Sequence, residues 1–112
     1  MPLIDAPNGQ IDTIIVGDGP NLVVLVHASA AGHASLKRLA KATVRSNMTI
    51  AIPALYGYGE TRIEATDPLV ANISIVQAAL NHFDAESKTL MGHSMGGLAA
   101  VNALDARVRA DA

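Results

Sequence analysis

The chain has 112 residues, half of them hydrophobic and 16% charged, which suits one packed domain or part of a larger one but not two. The formal net charge is −2 and the cations are scattered apart from one local cluster at residues 37–45, which argues against nucleic-acid binding through a basic face. Cysteine is absent, which excludes a disulfide scaffold, a thiolate nucleophile and a cysteine metal site.

Apolar runs bounded by turn residues predict the β-strands. The run at residues 22–26 is apolar at every position, which indicates a strand buried on both faces, as in a parallel sheet. Asn8 and Gly9 predict a hairpin turn between the first two strands. The predicted strands cover, in chain order, residues 3–4, 11–16, 22–26, 48–52 and 88–91.

Helical patterns separate the later strands. Residues 34–45 combine an apolar side with a basic side, and the cations are interpreted as a solvated face. That face consists of Lys37, Arg38, Lys41 and Arg45. This alternation of strands and helices predicts an α/β fold whose mostly parallel sheet has right-handed crossovers and flanking helices.

The next two helices carry clearer signals. Asp67 is a helix N-cap candidate and Pro68 suits the first helical position. The apolar residues that follow recur on one helical face: Leu69, Ile73, Val76, Leu80 and Phe83. The last helix is expected just after Ser94, with one stripe formed by Leu98, Val101 and Leu104.

A glycine-flanked serine follows the last predicted strand. Residues 92–97 are Gly-His-Ser-Met-Gly-Gly, and a G-x-S-x-G motif between a strand and a helix holds its serine on a strained turn above the sheet. The helix N-terminus adds a favourable field, and the Met95 amide points to where an oxyanion would form. A second loop, residues 27–30, follows the most apolar strand, and ligands bind beyond the carboxyl ends of parallel strands.

These motifs resemble the α/β-hydrolase fold family. Residues 24–30 are similar to its oxyanion strand and loop, residues 50–61 to the next strand with its glycine-rich turn, and residues 88–97 to its nucleophile elbow. The resemblance covers nearly the whole chain. It implies that residues 1–112 are the amino-terminal part of a single α/β-hydrolase domain, truncated after the helix that follows the elbow.

The resemblance also implies site residues. Ser94 would be the nucleophile, and the backbone amides of Met95 and Ser29 would form the oxyanion hole. Gly92, His93 and Gly96 would shape the elbow, and His27 and Ala28 the oxyanion loop. Two substitutions depart from the family pattern, namely Ala28 for the usual glycine and Ala54 where a turn aspartate is common.

The remaining histidines and tyrosines are given structural interpretations. His27 and His93 match positions that usually orient the loop backbone rather than transfer protons. His33 and His82 are expected at the surface or at helix ends. Tyr56 and Tyr58 are expected to pack near the mouth of the site.

The largest departure from the family is the missing triad. No histidine follows Ser94, and Asp105 and Asp111 lie too early to match the family's acid. The predicted function is therefore a serine-nucleophile hydrolase fragment of the esterase or acyl hydrolase type, acting on a small-molecule acyl substrate but inactive alone. One alternative is a non-catalytic interaction module that self-associates through a truncated sheet edge. The others are a half-enzyme complemented by a partner and, less favoured, an acyl-carrier malonyltransferase.

No cofactor or metal is predicted, because the histidines lack ligand spacing and the glycines form neither a P-loop nor a dinucleotide motif. No apolar run approaches the roughly 18 residues that span a bilayer, and no basic start precedes an apolar signal stretch. A cytoplasmic chain with neither membrane nor nucleic-acid partners is expected.

Overall fold

A computed structural model of the chain describes residues 3–27, 32–64 and 67–92. These residues form strands and helices in the order β1 (Leu3–Ala6), β2 (Gly9–Gly17), β3 (Asn21–Val26), a 3₁₀ helix (His33–Leu36), α1 (Lys37–Thr43), β4 (Met48–Pro53), β5 (Arg62–Ile63), α2 (Pro68–His82) and β6 (Ser87–Gly92). The helix predicted after Ser94 lies outside the described residues.

The strands of the described ranges form one sheet in the order β1-β2-β4-β3-β6, and β5 also pairs with β2. β3 is parallel to both β4 and β6, whereas β2 is antiparallel to β1, β4 and β5. The predicted α/β class is thus confirmed, with the parallel pairs grouped around β3. The short β5 was not predicted, because two residues carry no readable periodicity.

Apolar side chains cover both faces of this sheet. Residues Leu22, Val24 and Val26 of β3 pack in one cluster with α2, and Leu25 packs in a second cluster with Ala40 of α1. Successive side chains of a strand point to opposite faces. The continuous apolar run of β3 is therefore explained by two covered faces, as the sequence predicted.

Helix α2 begins as predicted. The Asp67 side chain accepts a hydrogen bond from the Leu69 amide at 2.8 Å, and Pro68 occupies the first turn. The buried face only partly matches the predicted stripe: Val76 and Leu80 are buried, whereas Leu69, Ile73 and Phe83 are half-buried. The buried residues of α2 are Ala71, Asn72, Ile75, Val76, Ala79 and Leu80.

The segment predicted as one helix over residues 34–45 divides into the 3₁₀ helix and the short α1. Its four cations lie at the surface rather than in the core, in agreement with the solvated-face interpretation. Leu39, expected on the apolar side, is 52% exposed, because α1 turns Ala40 towards the sheet. In the described part of the chain, neither helix combines the length and apolarity needed to cross a membrane.

Candidate active site

The parallel strands β3, β4 and β6 have their carboxyl ends on the same side of the sheet, which is called its carboxyl edge below. Val26 is in register with Gly92, and the register of β3 with β4 pairs Val24 with Ala51, two residues before each strand ends. The chain therefore leaves β3 at His27 and leaves β6 at Gly92 side by side. Of the predicted site residues, Ala28, Ser29, His93, Ser94, Met95 and Gly96 lie outside the described residues, while His27 and Gly92 lie within them.

His27, the first residue after β3, is fully buried at this edge. Its Nε2 accepts a hydrogen bond from the Leu55 amide at 3.0 Å, and the Tyr58 ring meets it edge-on with the centroids 4.9 Å apart. A ring nitrogen that accepts a hydrogen bond carries no proton, so Nδ1 holds the proton in this geometry. This contact is structural and attaches the strand end to the loop after β4.

The loop of residues 54–61, between β4 and β5, borders the same edge. Asn72 of α2 is buried, and its Oδ1 accepts from the Tyr56 amide at 2.8 Å. Thr61 Oγ1 donates to the Ala54 carbonyl at 2.9 Å and accepts from the Asp12 amide at 3.0 Å. These contacts hold the loop at its start and its end. Tyr58 packs as predicted, whereas Tyr56 is 40% exposed.

A buried acid and histidine form the third attachment. Asp12 of β2 is 3% exposed and His33 is 6% exposed, with His33 Nε2 3.5 Å from Asp12 Oδ2. The same Oδ2 accepts from the Glu60 amide at 2.9 Å. His33 lies at a helix end, one of the two positions expected of it, and it is buried there because it faces Asp12. His82 is an exposed helix end, as expected.

Asp12 lies on β2, which is three strand spacings from β6 in the sheet order, or about 14 Å at roughly 4.8 Å per strand. The His33 ring extends towards β3, and its centroid lies 6.2 Å from that of the His27 ring. Sequence reasoning missed Asp12, Thr61 and Asn72. A usable signal for Asp12 was its place between the apolar Ile11 and Ile14, where a charged side chain interrupts a strand. Within the described ranges, no three acidic or histidine side chains converge as metal ligands.

Comparison with solved structures connects this architecture to known enzymes. An epoxide hydrolase from an endophytic Streptomyces superposes with a TM-score of 0.80 and 29% identity over 95% of this chain and 33% of that chain. An α/β hydrolase from Sphaerobacter thermophilus gives a TM-score of 0.81 with 18% identity, covering 97% of this chain and 42% of that chain. The chain has the α/β-hydrolase fold. The resemblance inferred from the sequence motifs is confirmed.

An esterase from Exiguobacterium antarcticum has the same fold, with a TM-score of 0.80 and 22% identity over 96% of this chain and 41% of that chain. No family model and no curated protein matches the sequence. The chain thus has a partial α/β-hydrolase fold and spans a third to about two fifths of the length of these three solved hydrolases. In this α/β-hydrolase fold, the described edge formed by the ends of β3, β4 and β6 is the candidate active site.

Proposed function

We propose that the chain is the amino-terminal part of a serine hydrolase that acts on acyl substrates, with Ser94 as the nucleophile. The observation that supports this most directly is the parallel register of Val26 with Gly92. Because Val26 and Gly92 pair at adjacent strand ends, the sequences that contain Ser29 and Ser94 follow from neighbouring points of the sheet. A nucleophile and an oxyanion donor must lie within a few ångströms of one reacting carbonyl.

The chemistry of serine favours acyl over epoxide substrates. A serine oxygen that attacks an ester forms a tetrahedral oxyanion and then an acyl-enzyme, which water can cleave at its carbonyl. A serine that opened an epoxide would form an ether, which has no carbonyl for water to attack. An epoxide, which names the activity of the Streptomyces neighbour, is therefore not proposed as the substrate. An ester, which names that of the Exiguobacterium neighbour, agrees with a serine at residue 94.

Activity also requires a base for the serine hydroxyl. His27 uses its Nε2 to accept from Leu55, and His33 lies beside Asp12 over β2. In this fold the triad histidine follows the nucleophile in the chain, and no histidine follows Ser94. We therefore propose that the acid and histidine come from outside this chain, either from a longer form of the protein or from a complementing partner.

The first test asks whether Ser94 is a nucleophile whose base is missing. A fluorophosphonate probe should label the chain weakly, and added imidazole, which can act as an external base, should increase labelling of the peptide containing residue 94. Ser94→Ala should abolish that labelling. Ser46→Ala should leave it unchanged, because Ser46 is an exposed serine in the turn before β4, at the opposite edge of the sheet.

Failure to label residue 94 under both conditions would contradict the nucleophile assignment. Hydrolysis of a p-nitrophenyl acyl ester by the chain alone, lost in Ser94→Ala, would instead support the nucleophile and contradict the missing base. Offering a primary alcohol as acceptor separates a hydrolase from an acyltransferase, because only the latter gives the new ester as its main product.

A second candidate function, a non-catalytic interaction module, is favoured by one observation. Within the described sheet β6 is the terminal strand on the side of β3, and its Met91 is 56% exposed. Unpaired backbone groups on an exposed edge strand are available to pair with another chain. Concentration-dependent association without Ser94 labelling would support this role over the hydrolase.

A further inference from the structure

Asp12 is a buried acid with an incomplete set of hydrogen bonds. Among the described residues, its Oδ1 and the Nε2 of His33 have no hydrogen-bond partner, although both atoms are buried. The 3.5 Å between His33 Nε2 and Asp12 Oδ2 is longer than the 2.7–2.9 Å typical of a charge-assisted hydrogen bond. The two buried side chains therefore face each other without forming a hydrogen bond. A buried polar group is costly when its hydrogen bonds are incomplete.

Two separate loops converge on this carboxylate. His33 is the first residue of the 3₁₀ helix, which follows β3 in the chain. Glu60 belongs to the loop of residues 54–61. Asp12 Oδ2 accepts from the Glu60 amide and also faces His33. One oxygen atom on β2 therefore contacts both the start of the 3₁₀ helix and the loop of residues 54–61.

Gly59 fits closely against the same pair. A Cβ atom at Gly59 would lie 2.5 Å from Asp12 Oδ2 and 2.9 Å from His33 Cε1, and the residue has φ +52°. Gly57, in the same loop, has φ +87°, but a Cβ atom there would meet nothing within 4 Å. Both glycines suit a left-handed backbone, but only Gly59 has to leave space for Asp12 and His33.

We infer that Asp12, His33 and Gly59 form a loop clamp that fixes the start of the 3₁₀ helix against the loop of residues 54–61. Asp12 and His33 are positioning residues in this clamp. Its importance for catalysis rests on the proposed function, because Ser29 lies in the sequence between β3 and the 3₁₀ helix that the clamp anchors. Donor groups of an active site must be held to within about 0.5 Å, so a loosened anchor weakens them.

Amide hydrogen exchange of the full chain tests the clamp without requiring activity. The Glu60 amide donates to Asp12, and the Tyr56 amide, which donates to Asn72 of α2, is the internal reference. His33→Ala should speed Glu60 exchange about fivefold to tenfold, the size of one hydrogen bond, although His33 does not bond to Glu60. Tyr56 exchange should change less than twofold, which also shows that the variant remains folded.

Asp12→Asn keeps an oxygen that can accept from Glu60 but removes the charge that faces His33. It should reproduce the His33→Ala effect, and the double variant should exceed the single ones by less than twofold, because both remove the same interaction. The clamp would be overturned if the acceleration of Glu60 exchange in the double variant equalled the product of the two single accelerations. It would also be overturned if His33→Ala left Glu60 exchange unchanged.

The two glycines supply a matched pair of variants. Both variants place alanine at a left-handed φ and share that strain, so Gly59→Ala should speed Glu60 exchange at least about tenfold more than Gly57→Ala, since only its methyl group displaces Asp12 and His33. Equal effects of the two variants would overturn the role of Gly59.

Imidazole-assisted labelling of Ser94 separates this clamp from the proposed function. His33→Ala should lower the maximal labelling rate while leaving the probe concentration for half-maximal labelling unchanged. Exchange that follows the clamp pattern without any labelling of residue 94 would leave the clamp intact and overturn the proposed function with its catalytic consequence. Labelling that persists with unaltered Glu60 exchange in every variant would overturn the clamp alone.

Discussion

Three buried polar side chains hold one loop at the carboxyl edge of the sheet. His27 follows β3, Asn72 lies on α2 and Asp12 on β2, and each accepts a hydrogen bond from a backbone N–H of the loop of residues 54–61. An irregular loop packed against a core has amide groups that helices and strands do not satisfy. Side-chain acceptors replace those partners. This loop is therefore held by hydrogen bonds to residues that are far apart in the sequence, from residue 12 to residue 72.

His27 is the most buried of these acceptors, and His27→Ala should destabilise the fold. The variant leaves the Leu55 amide without its acceptor and removes a ring that contacts Tyr58. An orphaned buried donor costs about 1–3 kcal/mol, to which the lost packing adds. Urea unfolding followed by circular dichroism measures the change in the free energy of unfolding.

The control for this prediction is His82→Ala, at an exposed histidine that ends α2. Its free energy of unfolding should stay within about 0.5 kcal/mol of the parent chain. A His27→Ala variant as stable as His82→Ala would show that the Leu55 hydrogen bond contributes little.

Elements with their own local signal were predictable from the sequence. The hairpin at Gly9, the parallel strand β3 and the cap at Asp67 each depend on residues within a few positions of one another. β5 and the burial of His33 depend on contacts with β2, which is distant in the sequence. The exposed Leu39 likewise follows from how α1 sits on the sheet, which helical periodicity alone does not determine.

The cap of α2 can be tested directly. Asp67→Ala removes the acceptor for the Leu69 amide at the first turn and should cost about 1 kcal/mol of unfolding free energy. Asp67→Asn retains a capping oxygen and should stay close to the parent. Thermal and urea unfolding measure both. An equal loss in the two variants would indicate that the charge rather than the hydrogen bond is what matters.

At the scale of the whole molecule, the sheet is asymmetric. β3 has parallel neighbours on both sides, whereas β6 is the last strand in the described order and presents Met91 to solvent. Sequence motifs predicted the fold and the order of its site segments. They could not give the register of Val26 with Gly92, because that pairing joins strands 66 residues apart.

The exposed edge leads to a prediction on association. Met91→Lys places a charge on β6, and lysine on an edge strand opposes pairing with a second chain. The variant should show less concentration-dependent association in sedimentation velocity than the parent. Val70→Lys is the matched control, since Val70 is 57% exposed but lies on α2. Equal association by both variants would exclude the β6 edge as the contact.

The separation of β3 from β6 along the sequence also delays their pairing during synthesis. Asn21 pairs with Ser87 across 66 residues, so during synthesis one side of β3 has no partner until β6 has been made. At about 5–20 residues per second the ribosome needs roughly 3 to 13 s to add those residues. For those seconds the most apolar strand of the nascent chain presents a bare edge, so slower translation would lengthen its exposure to aggregation.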